Sequence, residues 1–196
     1  MKIAFTGNPN YGLAQEWARR IAGTIDIKRN IRYDTDFFSR RNDWNFDEST
    51  RRHWFAEESL KYDVVVNNSA LWNFHQTLLL KEVWSVWKEK NHKGRIINIG
   101  STADRNNGGT DWLYPTEKKA LREFSLGLSM MSVWQDHPIK VSYISFGSLQ
   151  TSKVHKKHPD RTLMSLEKAV KTIKEVVSQD EDTLLSEYRI DPVQVK

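Results

Sequence analysis

The chain has 196 residues, 38% of them hydrophobic and 28% charged, with 8 Trp, 8 Phe and 6 Tyr, which suits one packed domain over 1–196 and excludes wholesale disorder. Cysteine is absent, which excludes disulfides, thiolate zinc sites and a cysteine nucleophile; the net charge of +5 suits a phosphorylated small molecule as readily as a nucleic acid. No stretch approaches the ~18 apolar residues of a membrane span, and Met1-Lys2-Ile3-Ala4-Phe5-Thr6-Gly7 reaches glycine too early for a signal peptide, so a soluble, cytoplasmic protein without membrane contact is expected.

In chain order, Lys2-Ile3-Ala4-Phe5 predicts a strand that stops at Thr6-Gly7. Leu13, Ala14, Trp17, Ile21 and Ala22 then recur at helical spacing. A second strand is placed within Ile31 to Phe38, ending at the polar cluster Ser39-Arg40-Arg41-Asn42-Asp43, and a charged helix follows from Asp47 to Leu60. Asp63-Val64-Val65-Val66 is apolar on both faces, as a strand covered by helices on both sides should be. A helix from about Asn73 to Lys90 leads to the strand Arg95-Ile96-Ile97-Asn98-Ile99, closed by Gly100-Ser101. The loop Asn106-Asn107-Gly108-Gly109 precedes a helix from Tyr114 to Trp134 with Leu121, Phe124, Leu128 and Met131 inward. Val141 to Ser145 is the last clear strand, and Ser165 to Ser178 a final amphipathic helix before an apolar finish near Ile190 and Val193. Strands alternating with helices predict an α/β fold: a Rossmann-like, doubly wound parallel sheet flanked by helices on both faces, with ligand groups at the carboxyl ends of the strands.

Each strand end carries something polar. In Thr6-Gly7-Asn8-Pro9-Asn10-Tyr11-Gly12-Leu13-Ala14 the glycines let backbone approach a pyrophosphate and the helix start offers free N–H groups; an ordinary strand-to-helix turn is the plainer alternative. Tyr114 and Lys118 sit one helical turn apart on the same face, where an ammonium about 4 Å away could lower a phenol pKa from about 10 toward 7. Such a pair also arises on any solvated face. Ser101, just beyond a buried strand, could hydrogen-bond a substrate carbonyl or serve only as a turn serine.

Together and in this order, these pieces resemble the short-chain dehydrogenase/reductase family, over nearly the whole chain. Thr6-Gly7 with Gly12 and Ala14 resembles its glycine turn, and Asp63 to Ala70 its Asn-Asn-Ala-Gly strand end. Gly94 to Ser101 resembles the strand into its catalytic serine, and Tyr114 with Lys118 its Tyr-x-x-x-Lys pair. Ile144 to Thr151 resembles the Pro-Gly loop whose threonine touches the nicotinamide carboxamide.

The resemblance implies hydride transfer between a nicotinamide and a small carbonyl or alcohol substrate. Tyr114 would be the general acid/base, Ser101 would polarise the carbonyl, Lys118 would depress the tyrosine and hold the ribose, and Asn73, in the helix before the serine strand, would order a relay water. Cofactor contacts are implied at Gly7, Asn10, Tyr11, Gly12 and Leu13; at Ser39, Arg40 and Arg41; at Asn67, Ser69 and Ala70; at Tyr114 and Lys118; and at Phe146, Gly147, Leu149 and Thr151. Ser39-Arg40-Arg41 favours NADP(H), while Asp34 and Asp36 keep NAD(H) possible.

Departures from the pattern are the inserted Tyr11, Ala14 for the last glycine, Phe146 for a proline, a short Ala70-to-Asn73 segment and a brief region after Thr151, which leaves the substrate pocket open. The alternative is a non-catalytic dinucleotide-binding or interaction protein with the same fold. The basic run Lys153, His155, Lys156, Lys157, His158 and Arg161 reads as a solvated loop, with neither a nucleic-acid partner nor a metal expected. Apolar excess around Trp84, Trp87 and Leu121 to Trp134 fits either core packing or a homodimer or homotetramer.

Overall fold

The computed structural model describes residues 1–69, 72–105, 111–135 and 137–193. Among them a six-stranded parallel sheet is formed by β1 (Lys2–Thr6), β4 (Asp34–Phe38), β5 (Val64–Asn67), β6 (Gly94–Ser101), β7 (Ile139–Phe146) and β8 (Glu187–Ile190), in the order β4-β1-β5-β6-β7-β8. A separate antiparallel pair, β2 (Ile25–Asp26) with β3 (Ile31–Arg32), stands outside it. The chain runs outward from β1 to β4 and then returns to β5 on the other side of β1. That reversal opens a crevice at the strands' carboxyl ends.

Strand alternation splits the core in two. Ile3, Phe5, Val64, Val66, Ile97 and Ile144 face α1 (Gly12–Arg20) and α6 (Leu166–Val177). Ala4, Val65, Ile96, Val141 and Tyr143 face α2 (Ser49–Glu58), α3 (His75–Glu89) and α4 (Tyr114–Trp134). Both faces are therefore covered, which is why Val64, Val65 and Val66 are all buried. Trp84 and Trp87 are buried in the second cluster, and the Trp87 indole N–H donates to Ser59 Oγ at 2.7 Å. Their apolar excess is core packing. Val133 and Trp134, at the end of α4, stay exposed.

Three elements differ from expectation. The second strand is broken: Tyr33, fully buried, turns its N–H to the Thr24 carbonyl, so Ile31 and Arg32 pair with β2 and only Asp34–Phe38 joins the main sheet. The helix expected from Asn73 begins at His75, because Asn73 and Phe74 both adopt left-handed backbone (φ 56° and 60°), and Phe74 caps the helix. The basic run after Thr151 is a short helix, α5 (Ser152–Lys157), with the Thr151 hydroxyl accepting from Val154 N–H at 3.3 Å. No helix among the described residues is long and apolar enough to cross a membrane.

Candidate active site

The crevice holds a cavity of about 410 Å³. Its walls come from four strand ends: Gly7, Asn8, Tyr11, Gly12 and Leu13 after β1; Ser39, Arg40, Trp44, Phe46 and Asp47 after β4; Asn68, Ser69 and Trp72 after β5; Leu149 and Thr151 after β7. Thr6 ties two of these ends together. Its hydroxyl donates to the Val66 carbonyl and accepts from the N–H groups of Asn68 (2.9 Å) and Ser69 (3.1 Å).

The residues fit a dinucleotide. At the mouth of α1 no side chain caps the helix and its first turn holds no acid. The positive end of the helix and its N–H groups are therefore left to face an anion. Gly12 has φ +59°, and a Cβ built there meets nothing nearer than Thr151 Cγ2 at 4.0 Å. That gap is the cradle a phosphate needs. At the opposite wall Arg40 donates to Asn45 Oδ1 through Nε (2.9 Å) and to Asp47 through Nη2. Asp47 also takes His75 Nδ1 at 3.0 Å. Asp34 and Asp36 do not line the cavity; Asp34 accepts from Arg32, and Asp36 from the Tyr62 phenol at 2.9 Å.

Of the expected cofactor residues, Gly7, Tyr11, Gly12, Leu13, Ser39, Arg40, Ser69, Leu149 and Thr151 line this cavity; Asn10, Arg41, Asn67, Phe146 and Gly147 do not. Asn10 N–H closes a turn on Asn8 Oδ1, and Arg41 is exposed. Asn67 is buried, its amide donating to the Gln76 carbonyl and Asn98 Oδ1. Phe146 and Gly147 finish β7 against β8, where Gly147 N–H donates to the Ile190 carbonyl. Ala70 lies outside the described residues.

Ser101, Tyr114 and Lys118 gather at the end of β6 and the start of α4. The Ser101 hydroxyl neighbours the Tyr114 phenol and lowers its pKa. Lys118 Nζ lies 5.5 Å from the Tyr114 ring centroid. None of the three lines the 410 Å³ cavity; Trp72 stands at its end, with its ring centroid 5.9 Å from that of Tyr114. Asn73 is exposed in the left-handed turn before α3 and is not part of this group. That turn is pinned from α4, as Phe74 N–H donates to Glu117 Oε1 at 3.1 Å.

Sequence reasoning missed Gln76. Its buried amide donates from Nε2 to the carbonyls of Asn67 (2.8 Å) and Ile99 (3.0 Å), and its Oε1 accepts from Lys118 Nζ at 2.6 Å. One side chain thus joins β5, β6 and the lysine. The only sequence signal was an amide on the otherwise apolar inner stripe of α3.

The electrostatics also differ from expectation. Burial pushes the Tyr114 phenol above its ordinary pKa, the Ser101 hydroxyl pulls it down, and Glu117 and Asp104 push it up again. The ammonium expected to depress it points instead at Gln76 and the Ile99 carbonyl. Lys118 itself is pushed down to about 8 by burial, opposed by Glu117 and Asp104. In the unfolded chain a lysine titrates near 10.4, so between about pH 8 and 10.4 the unfolded state keeps the proton that the folded state has released. Lys118 therefore adds stability as pH rises through that window. We expect the stability difference between wild type and Lys118→Met to move in favour of wild type by about 2–3 kcal/mol from pH 7.5 to 10.5. Urea titrations at both pH values measure it, and a constant difference would show that the ammonium is not held in this dry site.

Residues 55–162, more than half of the chain, match the model of the short chain dehydrogenase family. No curated protein matches the sequence. Among solved structures, the chain resembles a 4-hydroxyisoleucine dehydrogenase complexed with NADH (18% identity, TM-score 0.72, 98% of each chain covered). It also resembles a serine dehydrogenase complexed with NADP+ (17%, TM-score 0.68, 97% of this chain and 94% of that one). A third is a short-chain type dehydrogenase/reductase from Mycobacterium marinum (12%, TM-score 0.72, 97% and 93%). At these identities the likeness is one of fold. With the family model and the parallel sheet in agreement, the chain belongs to the short chain dehydrogenase family of NAD(P)-dependent oxidoreductases.

Proposed function

We propose that this protein is an NADP(H)-dependent reductase of small carbonyl compounds, working in the cytoplasm as a homo-oligomer. The observation that carries the reading is the Ser101–Tyr114–Lys118 group at the end of β6, beside an open glycine-and-helix cradle at the end of β1. The first turn of α1 and Gly12 would hold the pyrophosphate, and Ser39 with Arg40 the 2′-phosphate of the adenine ribose. When bound, the nicotinamide supplies the hydride. Tyr114 holds a proton on its phenol at neutral pH and gives it to the reduced carbonyl oxygen, a general-acid step. Ser101 Oγ, also reached by Ala103 N–H at 3.2 Å, orients the same oxygen. Gln76 fixes where Lys118 can point.

The NADP(H) preference rests on Ser39 and Arg40 lining the cavity while Asp34 and Asp36 do not. Bonds to Asn45 and Asp47 engage Arg40 Nε and Nη2 and leave Nη1 for a phosphate oxygen. Fluorescence titration should therefore give tighter binding of NADPH than of NADH. Arg40→Glu should weaken NADPH by about tenfold or more and NADH by much less, since a charge-assisted contact to phosphate is worth roughly 1.5–3 kcal/mol. Tighter binding of NADH by the wild type would reverse the assignment. A panel of carbonyl compounds followed through NADPH absorbance tests the reductase itself, and binding without turnover of any would favour the non-catalytic alternative.

A further inference from the structure

The Tyr114 phenol is bracketed by two large apolar rings that face solvent. Trp112 stacks on it with centroids 4.9 Å apart and planes at 20°, and Trp72 lies on it at 5.9 Å and 58°. Trp72 is 57% exposed and Trp112 54% exposed. Trp72 also lines the end of the cofactor-sized cavity, so one indole borders both the cleft and the phenol. We propose that the substrate is an aromatic ketone or aldehyde whose ring stacks on Trp72 and Trp112; this rests on Tyr114 being the catalytic phenol of the proposed reductase.

Both indoles lie against the ring that carries the Tyr114 Oη, so a carbonyl compound reaching that oxygen would pass beside them. Planar π faces attract offset or edge-on aromatic partners beyond what area alone provides. Among the described residues, several polar atoms nearby are engaged, while Asp104 Oδ1 and Glu117 Oε2 are buried without a partner. Glu117 Oε1 takes Phe74 N–H, Asp104 Oδ2 takes the Tyr143 phenol at 3.0 Å, and His75 is paired with Asp47. Among the described residues, Trp72 and Trp112 are the large rings exposed beside the Tyr114 phenol.

Acetophenone and cyclohexyl methyl ketone differ in planarity and π character at nearly equal size. With NADPH, kcat/KM for acetophenone should exceed that for cyclohexyl methyl ketone by about tenfold or more, and Trp72→Ala and Trp112→Ala should each cut that ratio at least about threefold. Trp72→Phe and Trp112→Phe should keep it within about twofold, because a ring face remains. Calorimetric binding of the two ketones to the NADP+-saturated and the cofactor-free chain gives a reading independent of turnover. Tighter binding of acetophenone, lost in the alanine variants, supports the proposal. Equal affinity for both ketones, or a preference unchanged in both alanine variants, overturns it even if both are reduced. Failure to bind NADPH or to reduce either ketone counts against the reductase reading instead, and the calorimetric comparison still decides the aromatic one.

Discussion

Tyr114→Phe should lower the turnover number for carbonyl reduction by about 10²- to 10⁴-fold while leaving NADPH affinity within about threefold, the range that loss of a general acid typically costs. The substitution removes one oxygen and keeps the ring, so the contacts with Trp72 and Trp112 persist. The pinned turn at Phe74 is held by Glu117 and is untouched. What disappears is the phenol O–H that the proposed mechanism uses as proton donor, whose pKa burial raises and Ser101 lowers. Ser101→Ala should cost less, since it leaves the acid in place. Steady-state kinetics beside a fluorescence titration separate the two effects. Unchanged turnover in Tyr114→Phe would remove the tyrosine from the chemistry and assign the proton transfer to another group.

Much of this arrangement is legible from sequence for a physical reason. Strands covered on both faces must be apolar throughout, so Val64-Val65-Val66 and Ile96-Ile97 announce themselves, and the polar residues that end them mark the crevice. Tyr114 and Lys118 could be paired because helical spacing is local. Non-local contacts could not be read. The break at Tyr33 depends on a carbonyl at Thr24 and a phenol bond to Ser178 Oγ at 2.7 Å, far away in the chain. The turn that expels Asn73 from α3 is held by Glu117, from another helix. Gln76 acquires its role only when β5, β6 and α4 converge on it. The pKa of Tyr114 was misjudged for the same reason: the spacing shows a cation nearby, whereas burial and the direction of that cation are tertiary facts.

Gly100 illustrates how closely the site depends on such packing, and Gly100→Ala should destabilise the protein by about 3–5 kcal/mol. A Cβ at this position would lie 2.1 Å from both Cζ and the phenol oxygen of Tyr143, which is fully buried. These are ring atoms wedged in the core rather than the free end of a flexible chain, so the ring must leave its place. Its phenol donates to Asp104 Oδ2 at 3.0 Å, and Asp104 Oδ1 has no other partner among the described residues. Displacing the ring thus adds the loss of a buried carboxylate's hydrogen bond to an overpacking strain of about 1–3 kcal/mol. Ser101 is the next residue, so activity should fall with stability. Urea denaturation of the single and double variants isolates the cause. Tyr143→Ala alone should cost about 3–5 kcal/mol by opening a cavity, and adding Gly100→Ala to it should cost less than about 1 kcal/mol because the clash partner is gone. Strict additivity of the two substitutions would show that Gly100 is required for something other than room for the Tyr143 ring.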